Sequence, residues 1–202
     1  MLEERYAIEA ERILKLELEA EADLEHPVFG DGKPDRPLIM FIGEAPGKDE
    51  AASGRPFVGK AGKQLDGMLR LAGIDRTKVF VTNSVKYRPT KLYEHRVSNR
   101  TPSVTEIKDG LELLKYEIET VRPTVIATLG NVPLSAVQAL SDIKGEKLNV
   151  GMAHGMPTVA NIGGRLIHLF PLYHPAASIY NRELKPVLEQ DLIRLGDFAR
   201  SL

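Results

Sequence analysis

The 202-residue chain contains no cysteine. Disulfides, thiolate metal sites and iron–sulfur clusters are therefore excluded, and no cofactor is expected. A cysteine-free composition also suits a reducing, cytoplasmic setting. Charge of one sign is missing too: 27 Lys and Arg stand against 28 Asp and Glu, a formal net charge of −1. No overall basic field advertises a nucleic-acid partner, so any such partner must meet a local patch. No apolar run approaches the roughly 20 residues of a membrane span. The first residues, MLEERYAIEAERILKLELEAEADLE, are acidic and amphipathic, unlike a signal or transit peptide. A phosphate-loop lysine motif and a nucleophile elbow are absent, which argues against an enzyme of free nucleotides or acyl esters. Without repeats, low-complexity segments or a domain boundary, one domain over 1–202 is expected, opening with an amphipathic helix in 1–26.

What the chain does have is an unusual stretch from Leu38 to Gly62, LIMFIGEAPGKDEAASGRPFVGKAG. A strand-like apolar run stops at Gly43-Glu44-Ala45-Pro46-Gly47. A charged turn, Gly54-Arg55-Pro56-Phe57-Val58-Gly59 and a helix start follow. Glycines permit positive φ and close approach. This many, with two glutamates and an aromatic between them, suit a pocket wall at a strand end.

The remaining pattern alternates strands with helices. Apolar runs predict strands near 37–43, 78–83, 124–130 and 166–171, with a hairpin or irregular strand around 157–161. Helical spacing predicts helices over 2–24 (Ile8, Ile13, Leu14, Leu16 and Leu18), 61–73, about 103–121, 131–141 and 184–200. Ser103 and Glu106 form a capping-box pattern at the third of these starts. Residues 84–102 read as a long polar connection. Nearly all-apolar strands between helices imply an α/β fold: a three-layer α/β/α sandwich around a four-stranded parallel sheet. Ligands of such sheets sit beyond the carboxyl ends of the strands. There the chain delivers Glu44 after the first strand, Asn83 at the end of the second, Gly130 after the third and His174 after the fourth.

Those groups suggest a chemistry. An asparagine amide can pair with the N3–H and O4 of a uracil ring, whereas cytosine presents the opposite pattern. Phe57 can stack on a planar base. A histidine donating to a carbonyl oxygen stabilises negative charge growing on a departing base. A carboxylate, Glu44 or Glu50, can aim water at a sugar carbon of oxocarbenium character. Together they would cut an N-glycosidic bond. Each residue also has a plainer reading: turn formation for Glu44 and Asn83, core packing for Phe57, helix capping for His174. His154 and His168 are read as ordinary loop and strand residues.

The ordered set GEAPG, GRPFVGKAG, NSVKYRP, RPTVIATLG and YHPAA resembles the uracil-DNA glycosylase superfamily, nearest to the iron–sulfur branch called family four. The resemblance runs from about Val28 to the last helix. It implies removal of uracil from DNA by a monofunctional glycosylase, leaving an abasic site, with base flipping. It implies that Glu44 and Glu50 line the pocket with Gly43 and Ala45, that Phe57 stacks on uracil, that Asn83 reads the base edge and that His174 contacts O2. It implies that Ala176, Ala177, Ser178, Ile179 and Arg182 belong to a loop entering the duplex, with Ile179 or Tyr180 as the wedge. The basic residues Lys86, Arg88, Lys91, Arg96 and Arg100 are candidate phosphate contacts.

Two departures stand out. Two of that branch's four cluster-cysteine positions match Tyr87 and Gly110, and the N-terminal pair falls in the Glu/Leu helix, so packing is expected to replace a structural cluster. Related X-type members form a covalent DNA adduct through a histidine; the matching position is Asn99, and no covalent trapping is expected. The partner is uracil-containing DNA, and a monomer is expected. The rival reading is a glycosylase-derived DNA-binding module that has lost catalysis.

Overall fold

Alternate side chains of the central strands enter two different cores, and this decides the layers. The structure is a computed structural model that describes residues 1–20, 26–94, 96–143 and 147–202. His95, and the side chains of Leu16 and Leu18, lie outside the described residues. The chain runs α1 (Leu2–Ala20), β1 (Asp31–Gly32), β2 (Ile39–Gly43), α2 (Lys48–Ser53), α3 (Lys60–Leu71) and β3 (Phe80–Asn83). It continues through β4 (Thr90–Tyr93), β5 (Arg96–Asn99), α4 (Val104–Val121), β6 (Val125–Leu129), α5 (Asn131–Leu140) and α6 (Val150–Ala153). It closes with β7 (Thr158–Ile162), β8 (Arg165–Leu172), α7 (Ala177–Tyr180) and α8 (Leu184–Arg200).

In β2, Ile39 and Phe41 join the core under α3 and α8, while Met40 and Ile42 join the core under α4 and α5. Successive strand side chains point to opposite faces, so a strand buried on both must be apolar throughout. Residues Leu65, Met68 and Leu69 of α3, with Leu188, Leu192 and Leu195 of α8, cover one face. Residues Leu114 and Ile118 of α4, with Leu134 and Val137 of α5, cover the other. The Ser103 cap forms as its pattern predicts: Ser103 Oγ accepts from Glu106 N at 3.2 Å, and Glu106 Oε2 accepts from Ser103 N at 2.6 Å.

Strand order is β1-β3-β2-β6-β8-β7. The four central strands, β3, β2, β6 and β8, are mutually parallel. The expected four-stranded parallel sheet is thus the middle of a six-stranded one, with an antiparallel strand on each edge. Two-residue β1 carries no hydrophobic pattern. Strand β7 turns into β8 through Gly163 and Gly164, both at positive φ, as a tight hairpin requires. A second hairpin, β4–β5, occupies the segment read as a polar connection. Connections run outward from β2 to β3, then back across to β6 and β8, so strand order reverses between β2 and β6. Ligand sites of open α/β sheets lie at such a switch point.

Candidate active site

Glycine 43 ends β2, and its missing side chain makes room for two others. A Cβ there would lie 2.4 Å from Asn83 Oδ1 and 2.5 Å from Phe57 Cζ. The Asn83 amide and the edge of the Phe57 ring therefore meet over the Gly43 backbone. Neighbouring peptides strap the two strand ends together: Gly43 O accepts from Ser84 N at 2.9 Å and Ser84 Oγ at 3.1 Å, and Glu44 O accepts from Val85 N at 3.0 Å. Asn83 is buried at 3% exposure, yet its amide bonds no other described residue.

Phe57 is held at φ +58°, a left-handed conformation that costs a non-glycine residue about 1–3 kcal/mol. Tertiary contact enforces it. A Cβ on Gly62 would stand 1.9 Å from Phe57 O, so the first turns of α3 rest directly on this peptide.

The two glutamates of the GEAPGKDE turn separate clearly. Glu50 Oε1 accepts from Val58 N at 3.0 Å and Gly59 N at 2.7 Å, and Oε2 accepts from Gly47 N at 3.1 Å. It ties the GEAPG turn to the PFVG turn and so braces Phe57. Three backbone amides occupy most of the lone-pair sites a carboxylate offers. Glu44 is half-buried, and no donor among the described residues reaches its carboxylate. Burial raises its pKa above the usual value near 4.5.

His174 follows β8. Its Nδ1 accepts from the Ala176 backbone N–H at 3.2 Å. A backbone amide can only donate, so Nδ1 is the unprotonated nitrogen of the neutral ring and Nε2 carries the hydrogen. Burial lowers the pKa of this imidazole, opposed in part by the nearby Glu50 carboxylate. The residue is thus set as a neutral N–H donor.

Glu44, Glu50, Phe57, Asn83 and His174 all line one cavity of about 410 Å³. Ala45 and Ala176 line it as well, with Ile179 and Tyr180 also on its wall. Tyr180 is 89% exposed and Ile179 44% exposed. Residues not assigned to the pocket from the sequence also line it: Lys48, Asp49, Lys60, Pro89 and Asn99, the last at the position of the X-type histidine. Lys48 and Lys60 open α2 and α3, and both are exposed. The glycine preceding each, in GKDE and GKAG, was the available signal.

Several expected DNA contacts are corrected. Lys86 is 2% exposed, and its ammonium is paired with the fully buried Glu117 at 2.7 Å. It cannot reach a phosphate. Arg88 is buried as well, its Nε donating to Asn99 Oδ1 at 2.6 Å. Ser178 is buried, and its hydroxyl bonds Pro175 O at 3.0 Å and Gln64 Oε1 at 3.3 Å, pinning the loop to α3. Arg100 reaches the cavity, but its guanidinium forks onto Glu106 at 2.6 and 2.8 Å and holds that carboxyl down at about 2. Arg182, Lys91 and Arg96 are exposed. His154, read as an ordinary loop residue, bonds the buried Asp191 at 2.6 Å and packs on Tyr173.

Comparison with known proteins matches residues 29–194 to the model of the Uracil DNA glycosylase superfamily. The chain belongs to this superfamily. A Type-4 uracil-DNA glycosylase from Saccharolobus solfataricus is 40% identical over 178 residues, 88% of this chain and 78% of that protein. Type-4 uracil-DNA glycosylases from Archaeoglobus fulgidus and Thermotoga maritima are each 35% identical, over 80% and 86% of this chain and 76% and 83% of their own. The cluster implied by the iron–sulfur branch of the superfamily does not fit this member. Tyr87 packs with Ile13 and Val85 in a small apolar group where α1 meets the strand ends. A Cβ on Gly110 would stand 2.2 Å from Ser84 O, leaving no room for a thiolate. Among the described residues, no three His, Cys, Asp or Glu side chains are placed to hold a metal ion.

Proposed function

We infer that the protein is a monofunctional uracil-DNA glycosylase that hydrolyses the N-glycosidic bond of uracil in DNA. The observation that carries this reading is the meeting of Phe57, Asn83, His174 and Glu44 in one cavity at the sheet's switch point. The relatives named Type-4 uracil-DNA glycosylase support it independently.

The nucleotide leaves the stack and its base enters the cavity. Phe57 stacks on the ring. The Asn83 amide pairs with N3–H and O4, a pattern cytosine cannot match. The His174 Nε2–H donates to O2. As the bond between the base nitrogen and the anomeric carbon breaks, its electron pair stays with uracil. The charge reaching O2 is met by a neutral donor already in place, which needs no reorganisation. Glu44 accepts a proton from water whose oxygen bonds the anomeric carbon, and its charge opposes the oxocarbenium character there. Glu50 is given the bracing role, because its oxygens are engaged by backbone amides. The uracil anion takes up a proton from solvent on release and Glu44 returns its own, so the products are free uracil and an abasic site.

The DNA lies across the cavity mouth. Tyr180, the more exposed of the two rim residues, is the wedge that fills the vacated stack, with Ile179 beside it. Lys48, Lys60 and Arg182 serve the phosphates, and Lys91 and Arg96 extend the surface along the β4–β5 hairpin. Ala176 and Ala177 let the loop backbone approach the strand. The protein is taken to act as a monomer, and its cysteine-free composition suits a cytoplasmic setting.

The test is a uracil-containing oligonucleotide, incubated with protein and then treated with alkali. Cleavage at uracil, reduced about 100-fold or more in His174→Ala and Asn83→Ala, is expected. An intact strand with wild-type protein, or binding without base release, overturns the reading.

A further inference from the structure

Directly beneath the base-reading edge lies a buried ion pair that the chemistry above leaves unused. The Lys86 ammonium has three donors and spends each one: on Thr82 Oγ1 at 2.7 Å, Glu117 Oε2 at 2.7 Å and the backbone carbonyl of Asn83 at 2.6 Å. Glu117 is fully buried in α4 and also accepts from Thr82 Oγ1 at 3.0 Å and from Tyr6 OH of α1 at 2.7 Å. The network thus joins two helices to the last two residues of β3.

Stability does not explain such a pair. Desolvating two charges costs about as much as their attraction returns, and well-packed apolar replacements are often as stable. Geometric definition is what the pair supplies. Of the three Lys86 bonds, one goes to the peptide of Asn83, the residue whose unpartnered amide faces the cavity. The next two amides, of Ser84 and Val85, still bond Gly43 and Glu44 at the end of β2, but the carbonyl of Asn83 itself is taken by Lys86, so this ammonium sets the peptide that carries the amide. A 1 Å displacement of a substrate-positioning group can cost about 100-fold in rate.

We propose that Lys86 is a positioning residue: anchored by Glu117, its ammonium fixes the Asn83 peptide and so aims the amide that reads the base. The proposal rests on the glycosylase reading given above. Thr82 and Tyr6 act within the same brace, Thr82 by accepting from Lys86 and Tyr6 by holding Glu117.

The test compares the paired replacement Lys86→Met/Glu117→Leu with wild type, each with Asn83 intact and with Asn83→Ala. Rates are measured under single turnover on a uracil oligonucleotide, alongside thermal melting. The paired variant is expected to melt close to wild type and to lose tenfold or more in rate when Asn83 is present. On the Asn83→Ala background the same change is expected to alter the rate less than twofold, because the amide it aims is gone. Should that pair not fold, Lys86→Met/Glu117→Gln keeps partners for Tyr6 and Thr82 while still removing the donor to the Asn83 peptide, and is read the same way. A paired variant as active as wild type overturns the proposal. So does an equal loss on both backgrounds, which would mark a merely structural role. A wild-type protein that releases no uracil would instead overturn the glycosylase reading itself.

Discussion

Gly43→Ala is the smallest change expected to disable the cavity. The added Cβ would sit 2.4 Å from Asn83 Oδ1 and 2.5 Å from Phe57 Cζ. Comfortable contacts of carbon atoms lie at about 3.5–4.0 Å. The amide and the ring must therefore each give by about 1 Å. They cannot retreat freely, because Phe57 is fixed by α3 and by the Glu50 clamp, and β3 is strapped to β2. Overpacking of this kind costs about 1–3 kcal/mol. For a chain of this size, about 2 kcal/mol corresponds to a melting temperature lower by about 4–8 °C. Displacing both base-holding groups by about 1 Å should cost about 100-fold in kcat/KM, well beyond any loss of folded protein at 25 °C. Alkaline cleavage of a uracil oligonucleotide reads the loss in kcat/KM, and thermal melting reads the loss of stability. Gly67→Ala is the control: its Cβ finds only the tip of Arg70, at 3.9 Å, and alanine suits a helix interior better than glycine. If Gly43→Ala keeps kcat/KM within threefold of wild type, Asn83 and Phe57 do not act together over this glycine.

Further outcomes are expected. The acid limb of the rate profile should belong to Glu44: activity falls as pH drops through its raised pKa, while His174, whose pKa is lowered, adds no break near its usual 6.5. A limb centred near 6.5 that disappears in His174→Gln would contradict this. Because folding raises the Glu44 pKa, its contribution to stability falls as pH rises from about 4.5 through the folded value. Glu44→Gln should therefore be inactive, yet gain in melting temperature over wild type on going from pH 4 to pH 7. Glu106, held at about 2 by Arg100 and the Ser103 cap, contributes stability above its usual value that is lost as pH falls toward 2, so Glu106→Gln should narrow the difference in acid. Tyr180→Ala should slow excision from duplex DNA about tenfold more than from single strands, and Lys60→Ala should lower the salt-dependence slope by about 1; equal effects on both substrates, or an unchanged slope, would remove these residues from the DNA surface.

The four central strands were legible because each is buried on both faces over most of its length and is therefore mostly apolar. Strand β1 was not, since two residues, Asp31 and Gly32, carry no period. The β4–β5 hairpin was hidden by its charges: Leu92 and Val97 pair across it but stand exposed, so no buried stripe marks it. The pocket residues were readable from where they follow the strands, because an α/β sheet gathers its carboxyl ends. Which carboxylate does what was not. Glu44 and Glu50 look alike in GEAPGKDE, and only the amides of Val58 and Gly59, supplied by the next turn, separate them. Lys86 was misread for a similar reason. Beside Arg88 it looks like part of a basic loop, while the partner that draws it inward, Glu117, lies 31 residues away in a helix. At Tyr87 an aromatic packs with Ile13 and Val85, and at Gly110 the bare backbone meets Ser84 O; neither contact could be read from the sequence.

The most direct measurement is a crystal structure with free uracil bound. The ring should lie against Phe57, with the Asn83 amide on its N3 and O4 edge and His174 Nε2 within about 3 Å of O2. Uracil bound elsewhere, or seated in the cavity with O2 turned away from His174, would contradict the account.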